Sequence, residues 1–119
     1  MSSLPVGSGM ASTLAVIRGV GAGALVVDSY AISPTDLKLA GTDVRLLVVV
    51  DDTGRFPLPA HVVVNSAPGL HPPESPDGTC YLLGPRFALL GRQFAEAPVR
   101  PAREEVRRVL LVLGGSTPA

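Results

Sequence analysis

Two runs of apolar residues, Ala24 to Val27 and Val44 to Val50, broken only by Arg45, flank a segment that carries a helix start signal. This arrangement constrains the fold more than any other feature of the chain. A short run with no polar alternation is the pattern of a strand covered on both faces, as in parallel sheets sandwiched between helices. Between the runs stands Ser33-Pro34-Thr35-Asp36. It offers a serine cap, a proline at the first helical position and an acid three residues on that can reach back to the cap amide. The helix is expected to end at Gly41. Strand, helix and strand in this order form a βαβ unit, because parallel neighbours need a long crossover where antiparallel ones need only a turn. The expected class is therefore α/β.

The rest of the chain extends this unit in both directions. Ser12 to Val20 has Leu14, Ile17 and Arg18 at helical spacing and is closed by Gly19, Gly21 and Gly23. Ala60 to Val64 reads as a third strand, approached by Phe56-Pro57-Leu58-Pro59, which cannot be helical. Ser66 to Gly78 holds four prolines and two glycines without periodicity, and is read as a loop. Tyr81 to Leu83 is a short strand, Gly84-Pro85 a turn, and Phe87 to Ala97 an irregular helix. Pro98 and Pro101 then precede a charged run, Arg103 to Arg108, and a last apolar strand, Val109 to Leu113. The expected organisation is a disordered tail over 1–11, an α/β domain over 12–97, a linker over 98–105, and the first strand and loop of a second α/β domain over 106–119.

Composition excludes several functions. Across 119 residues the formal net charge is zero, and 46% of residues are hydrophobic, enough to build a core. The basic residues are scattered apart from the 103–108 run, so there is no electrostatic footprint for nucleic acid or anionic lipid. No run approaches the ~18 apolar residues of a membrane span, and the N-terminus lacks the basic and apolar regions of a signal peptide. The single cysteine, Cys80, is read as a small apolar filler beside Tyr81 and suits a reducing compartment. The cytoplasm is the expected location.

The polar residues gather where ligands of open parallel sheets bind, beyond the carboxyl ends of the strands. Asp28-Ser29-Tyr30, Asp51-Asp52, Asn65 and Gly114-Gly115-Ser116 all fall at such ends. A Gly-Gly-Ser turn after a buried strand is how a phosphate-cradling loop begins, since glycines let backbone N–H groups approach an anion. Asp28, Asp51 and Asp52 are candidates for acid and base work or oxygen ligation, against the plainer reading that strand-end aspartates satisfy loop amides. No histidine or further acid stands at metal-ligand spacing, so no metal and no cofactor is expected. His61 opens a strand and is read as a satisfied, half-buried residue, and His71 as a solvated one.

Four ordered blocks, LVVDSYAIS, VVVDDTGRFPLPAHVVVN, YLLGPRFALLGRQFAEA and RRVLLVLGGSTP, resemble in order and spacing the central portion of a known family. It is the UDP-2,4-diacetamido-2,4,6-trideoxy-β-L-altropyranose hydrolase family of pseudaminic acid biosynthesis. The blocks are similar also to related spore coat polysaccharide biosynthesis proteins of the same glycosyltransferase-like GT-B architecture. The resemblance implies a partial Rossmann-like parallel sheet with flanking helices, ending in the first strand of a second domain. It implies hydrolysis of a nucleotide sugar at its anomeric carbon, releasing UDP and the free sugar. Tyr30 matches the tyrosine of the family's D-x-Y segment, Asp28 and Asp52 match acidic strand-end positions, and Gly114, Gly115 and Ser116 match the interdomain loop facing the sugar nucleotide. Ser29 stands where the family often has histidine, and Thr117 where it often has aspartate. The G-x-G-H-x-x-R segment that supplies the family's catalytic histidine is not found here. The expectation is a truncated hydrolase with little or no activity alone and a UDP-sugar as the ligand of intact relatives. The alternatives are a noncatalytic module completed by a protein partner or by self-association, and a fragment of a GT-B glycosyltransferase.

Overall fold

The computed structural model describes residues 9–54, 56–74, 78–99, 101, 105, 106 and 108–111. The chain divides into two compact units, Met1–Leu89 and Leu90–Ala119.

The first unit is α/β, with a four-stranded parallel sheet flanked by helices, the pattern of a partial Rossmann-like fold. Helix α1 (Met10–Val20) leads to β1 (Ala24–Asp28), α2 (Pro34–Asp43) and β2 (Leu46–Val50). Strands β3 (Val62–Asn65) and β4 (Cys80–Leu83) follow. The strand order is β1-β2-β3-β4, all parallel, with Val26 beside Val48, Val48 beside Val62 and Val62 beside Cys80.

Local chemistry accounts for the element ends. Gly21 closes α1 in the left-handed conformation at φ 61°, and the Ala22 N–H reaches back to the Ile17 carbonyl at 2.9 Å. That is a glycine-dependent helix stop. Helix α1 begins at Met10, so it takes in the last residues expected of the tail, whose first eight lie outside the described residues. The capping box of α2 forms as its sequence requires. Ser33 Oγ accepts from the Asp36 N–H at 3.2 Å while Asp36 Oδ2 accepts from the Ser33 N–H at 3.2 Å. The helix runs past Gly41 to Asp43 because Gly41 does not take the left-handed conformation that would close it; a Cβ there would make ordinary contact with Leu47 Cδ2 at 3.6 Å. Asp43 accepts from Arg18 Nε at 2.9 Å, which ties the ends of α1 and α2 together.

Both helices pack on one face of the sheet. Leu14 and Ile17 of α1 and Leu37 and Ala40 of α2 meet Val27, Leu47 and Val49 in a single buried cluster. The opposite face is uncovered at β1 and the start of β2, which corrects the expectation of strands covered on both sides, although Val64 on that face of β3 is buried. Val26 is 64% exposed and Leu46 41%, since no helix among the described residues packs against them. Cys80 is exposed for the same reason: it begins the outermost strand, on the uncovered face, and does not fill the core.

The second unit contains one regular element among its described residues, the helical turn α3 (Arg92–Ala95). The helix expected over Phe87 to Ala97 is thus a 3-10 turn at Pro85–Phe87 followed, after an extended break, by α3. The proposed linker at 98–105 lies inside this unit. The strand expected over Val109 to Leu113 is not formed in its described part, Val109 to Leu111. These residues have no ladder partner among the described residues, and a strand exists only by pairing. The Gly114-Gly115-Ser116 loop lies outside the described residues.

Candidate functional site

The carboxyl ends of β1, β2 and β3 bring Asp28, Asp51 with Asp52, and Asn65 to one edge of the sheet. Tyr30 and Asp52 meet there. The Tyr30 hydroxyl donates to Asp52 Oδ2, joining the segment after β1 to the segment after β2. Hydrogen bonding to Asp52 raises the Tyr30 pKa above its ordinary value of 10.0, and the negative charges of Asp28 and Asp51 act in the same direction. The phenol therefore stays protonated and works as a hydrogen-bond donor, not as a base. Its ring is 69% exposed and open to a ligand.

The three aspartates separate into different roles. Asp51, 8% exposed, accepts through Oδ1 from the Thr53 N–H and hydroxyl, and through Oδ2 from the Gly54 N–H at 2.8 Å. Its carboxylate is consumed in holding the turn after β2, where Gly54 sits at φ 69°. The plain reading of a strand-end aspartate describes Asp51. Asp52 points outward and has Tyr30 on one oxygen. Asp28 is exposed and takes part in no hydrogen bond or ion pair among the described residues.

A cleft of about 270 Å³ opens beside this edge, between the start of α2 and the segment after β2. Ile32, Leu37, Phe56 and Leu58 form apolar walls, and Ser29 and Asp51 stand at its margin. Tyr30 and Asp52 are not among its lining residues. The role of Phe56 and Leu58 as cleft walls was not visible in sequence, where the segment registered only as a nonhelical approach to β3. The alternation of apolar residues with Pro57 and Pro59 is the signal that marks it.

Asn65 is buried at 2% exposure, with Oδ1 accepting from the Ala67 N–H at 2.9 Å. Its Nδ2 has no partner among the described residues, and neither has the hydroxyl of Tyr81, whose ring meets Phe56 edge to face at 5.3 Å. His61 lies at the opposite end of the strands. Its Nδ1 accepts from the Leu47 N–H at 2.9 Å, so the ring extends the β2–β3 ladder. It is satisfied as expected but exposed, because it precedes the strand at the sheet margin. His71 is exposed in the proline-rich loop. Among the described residues no group of three His, Cys, Asp or Glu side chains is placed to hold a metal, and no described helix is long and apolar enough to cross a membrane.

Fold and site together define an α/β protein with a parallel sheet whose polar side chains collect at the carboxyl edge. Compared with protein-family models, with curated proteins and with solved structures, the chain gives no match.

Proposed function

We propose that the carboxyl edge of this sheet is the sugar-contacting part of a nucleotide-sugar hydrolase site, acting in the cytoplasm. The observation that carries the reading is the Tyr30–Asp52 hydrogen bond, which unites two of the residues singled out by the D-x-Y and double-aspartate segments. In this role the Tyr30 phenol donates to a substrate oxygen or exchanges its bond with Asp52 for one to substrate. The second oxygen of Asp52 orients a water or a sugar hydroxyl. Gly114, Gly115 and Ser116 would supply backbone donors to the diphosphate. A water-activating histidine is needed as well. The two histidines of the chain do not provide it, since His61 is engaged at the far end of the sheet.

The test is binding and turnover on the purified chain. Titration with a UDP-linked amino sugar is expected to shift the amide signals of Ser29 to Ala31 and Asp52, with no UDP released. Tyr30→Phe and Asp52→Asn should each weaken binding about tenfold, the loss of one hydrogen bond to a polar group. Unchanged binding in both variants, or shifts confined to residues away from this edge, would sink the reading. A specific observation also favours a noncatalytic, partner-dependent module: the open sheet face at Val26 and Leu46.

A further inference from the structure

His61 joins β2 through its side chain as well as its backbone. Its N–H donates to the Leu47 carbonyl at 3.0 Å, and its Nδ1 accepts from the Leu47 N–H at 2.9 Å. A ladder bond between parallel strands ordinarily ends on a backbone carbonyl, and here an imidazole nitrogen takes that place. The replacement makes the bond conditional. An imidazole has one acceptor nitrogen when uncharged and none when protonated, so the bond requires the uncharged ring with its proton on Nε2. A free imidazole takes up its second proton near pH ~6.5, inside the physiological range. Leu47 has 0% exposure, so its N–H finds no ready substitute once that acceptor is lost.

The neighbouring elements offer the charged ring no compensating bond. Arg45 precedes β2, with its guanidinium over Gly23, and β4 carries Cys80 and Tyr81. Helix α2 carries Asp36 in its capping box, Lys38, and Asp43, which Arg18 holds at 2.9 Å. Among the described residues none of these groups bonds to the His61 ring. The segment just before His61 is a wall of the cleft. Phe56, Pro57 and Leu58 line it, and Leu58 and Ala60 pack against the core cluster. The paired bonds between His61 and Leu47 stand where this segment enters the sheet.

We propose that His61 is an acid-sensitive latch: its uncharged ring fastens the 56–60 wall of the cleft to β2, and protonation at Nδ1 frees that end and loosens the cleft. Protonated Nδ1 is a donor set against the Leu47 N–H, also a donor, so one of the two bonds at this junction is lost. The Thr79 hydroxyl still donates to the Ala60 carbonyl at 2.8 Å, and Leu58 still packs on the core, so the wall gives way at its β3 end without leaving the sheet. The latch bond stabilises the fold at neutral pH and ceases to do so as acid is added. The inference rests on this junction and the cleft beside it, and does not depend on the hydrolase reading.

Amide hydrogen exchange of the full chain, followed with the His61 ring signals between about pH 5 and pH 8, tests it. The Leu47 protection factor is expected to fall about tenfold or more as the ring takes up its proton, since one buried donor is then left unpaired. The Phe56 ring and Leu58 methyl signals should shift with the same midpoint. His61→Asn sets a non-titrating oxygen near the place of Nδ1 and should keep the Leu47 amide protected throughout. His71→Asn should leave the wild-type profile unchanged, because His71 is exposed in the proline-rich loop. A Leu47 protection factor that does not change with pH would overturn the proposal, as would a change that persists in His61→Asn. Phe56 and Leu58 signals that stay constant through the ring titration would also overturn it, for the latch would then not reach the cleft. The wild-type titration needs no variant to be decisive.

Discussion

A phenol that donates to a carboxylate is held in its protonated form, and Tyr30 is in that position against Asp52. The folded pKa is raised, so the stability from this bond is fully present below the ordinary phenol value of about 10 and is lost as pH rises through the folded value. An ultraviolet titration is expected to show one of the two tyrosines ionising above its free value, and Asp52→Asn should return it toward that value. Identical titrations in the two proteins would mean that the bond does not persist in solution. The sequence placed Tyr30 and Asp52 on the same edge because strand ends of a parallel sheet share one side. Residue type and spacing did not tell Asp52 from Asp51, since adjacent residues differ only in the direction their side chains leave the backbone; the family resemblance alone singled out Asp52. The structure separates them, because Asp51 turns back onto Thr53 and Gly54 while Asp52 faces Tyr30.

At the scale of the element, α2 was the most legible segment. Its start is written in four consecutive residues, and the reciprocal bonds between Ser33 and Asp36 form as written. Ser33→Ala removes the acceptor for the Asp36 N–H and should cost about 1 kcal/mol, read as a lowered denaturation midpoint at unchanged slope. A loss near zero would mean that Pro34 and the packing of Leu37 define this end by themselves. Helix ends marked by a glycine alone were less legible. Gly41 resembles a stop, but a glycine closes a helix where its backbone turns left-handed, as Gly21 does and Gly41 does not. The strands carried the same limit. An all-apolar run such as Ala24 to Val27 states that both faces tolerate burial, but not that both faces are buried, and here Val26 is open. Over Val109 to Leu111 the same apolar signal produces no strand, because propensity supplies no partner.

At the scale of the whole molecule, most of the buried apolar side chains of the first unit lie in one cluster on one side of the sheet. Leu47, with 0% exposure, sits in that cluster in contact with the α1 and α2 layer. Leu47→Ala is expected to cost about 2–5 kcal/mol and to lower the single unfolding transition of the first unit as a whole. Melting of α1 and α2 without loss of the sheet would contradict that expectation. The strand order has a further consequence, in time. Since β1, β2, β3 and β4 stand side by side in the order of the sequence, every pairing joins a strand to the one made just before it. No strand has to wait for a distant segment, and loop closure is never longer than one connection. A chain emerging from the ribosome can therefore lay down its sheet one strand at a time, with the covered face forming as soon as β2 follows α2.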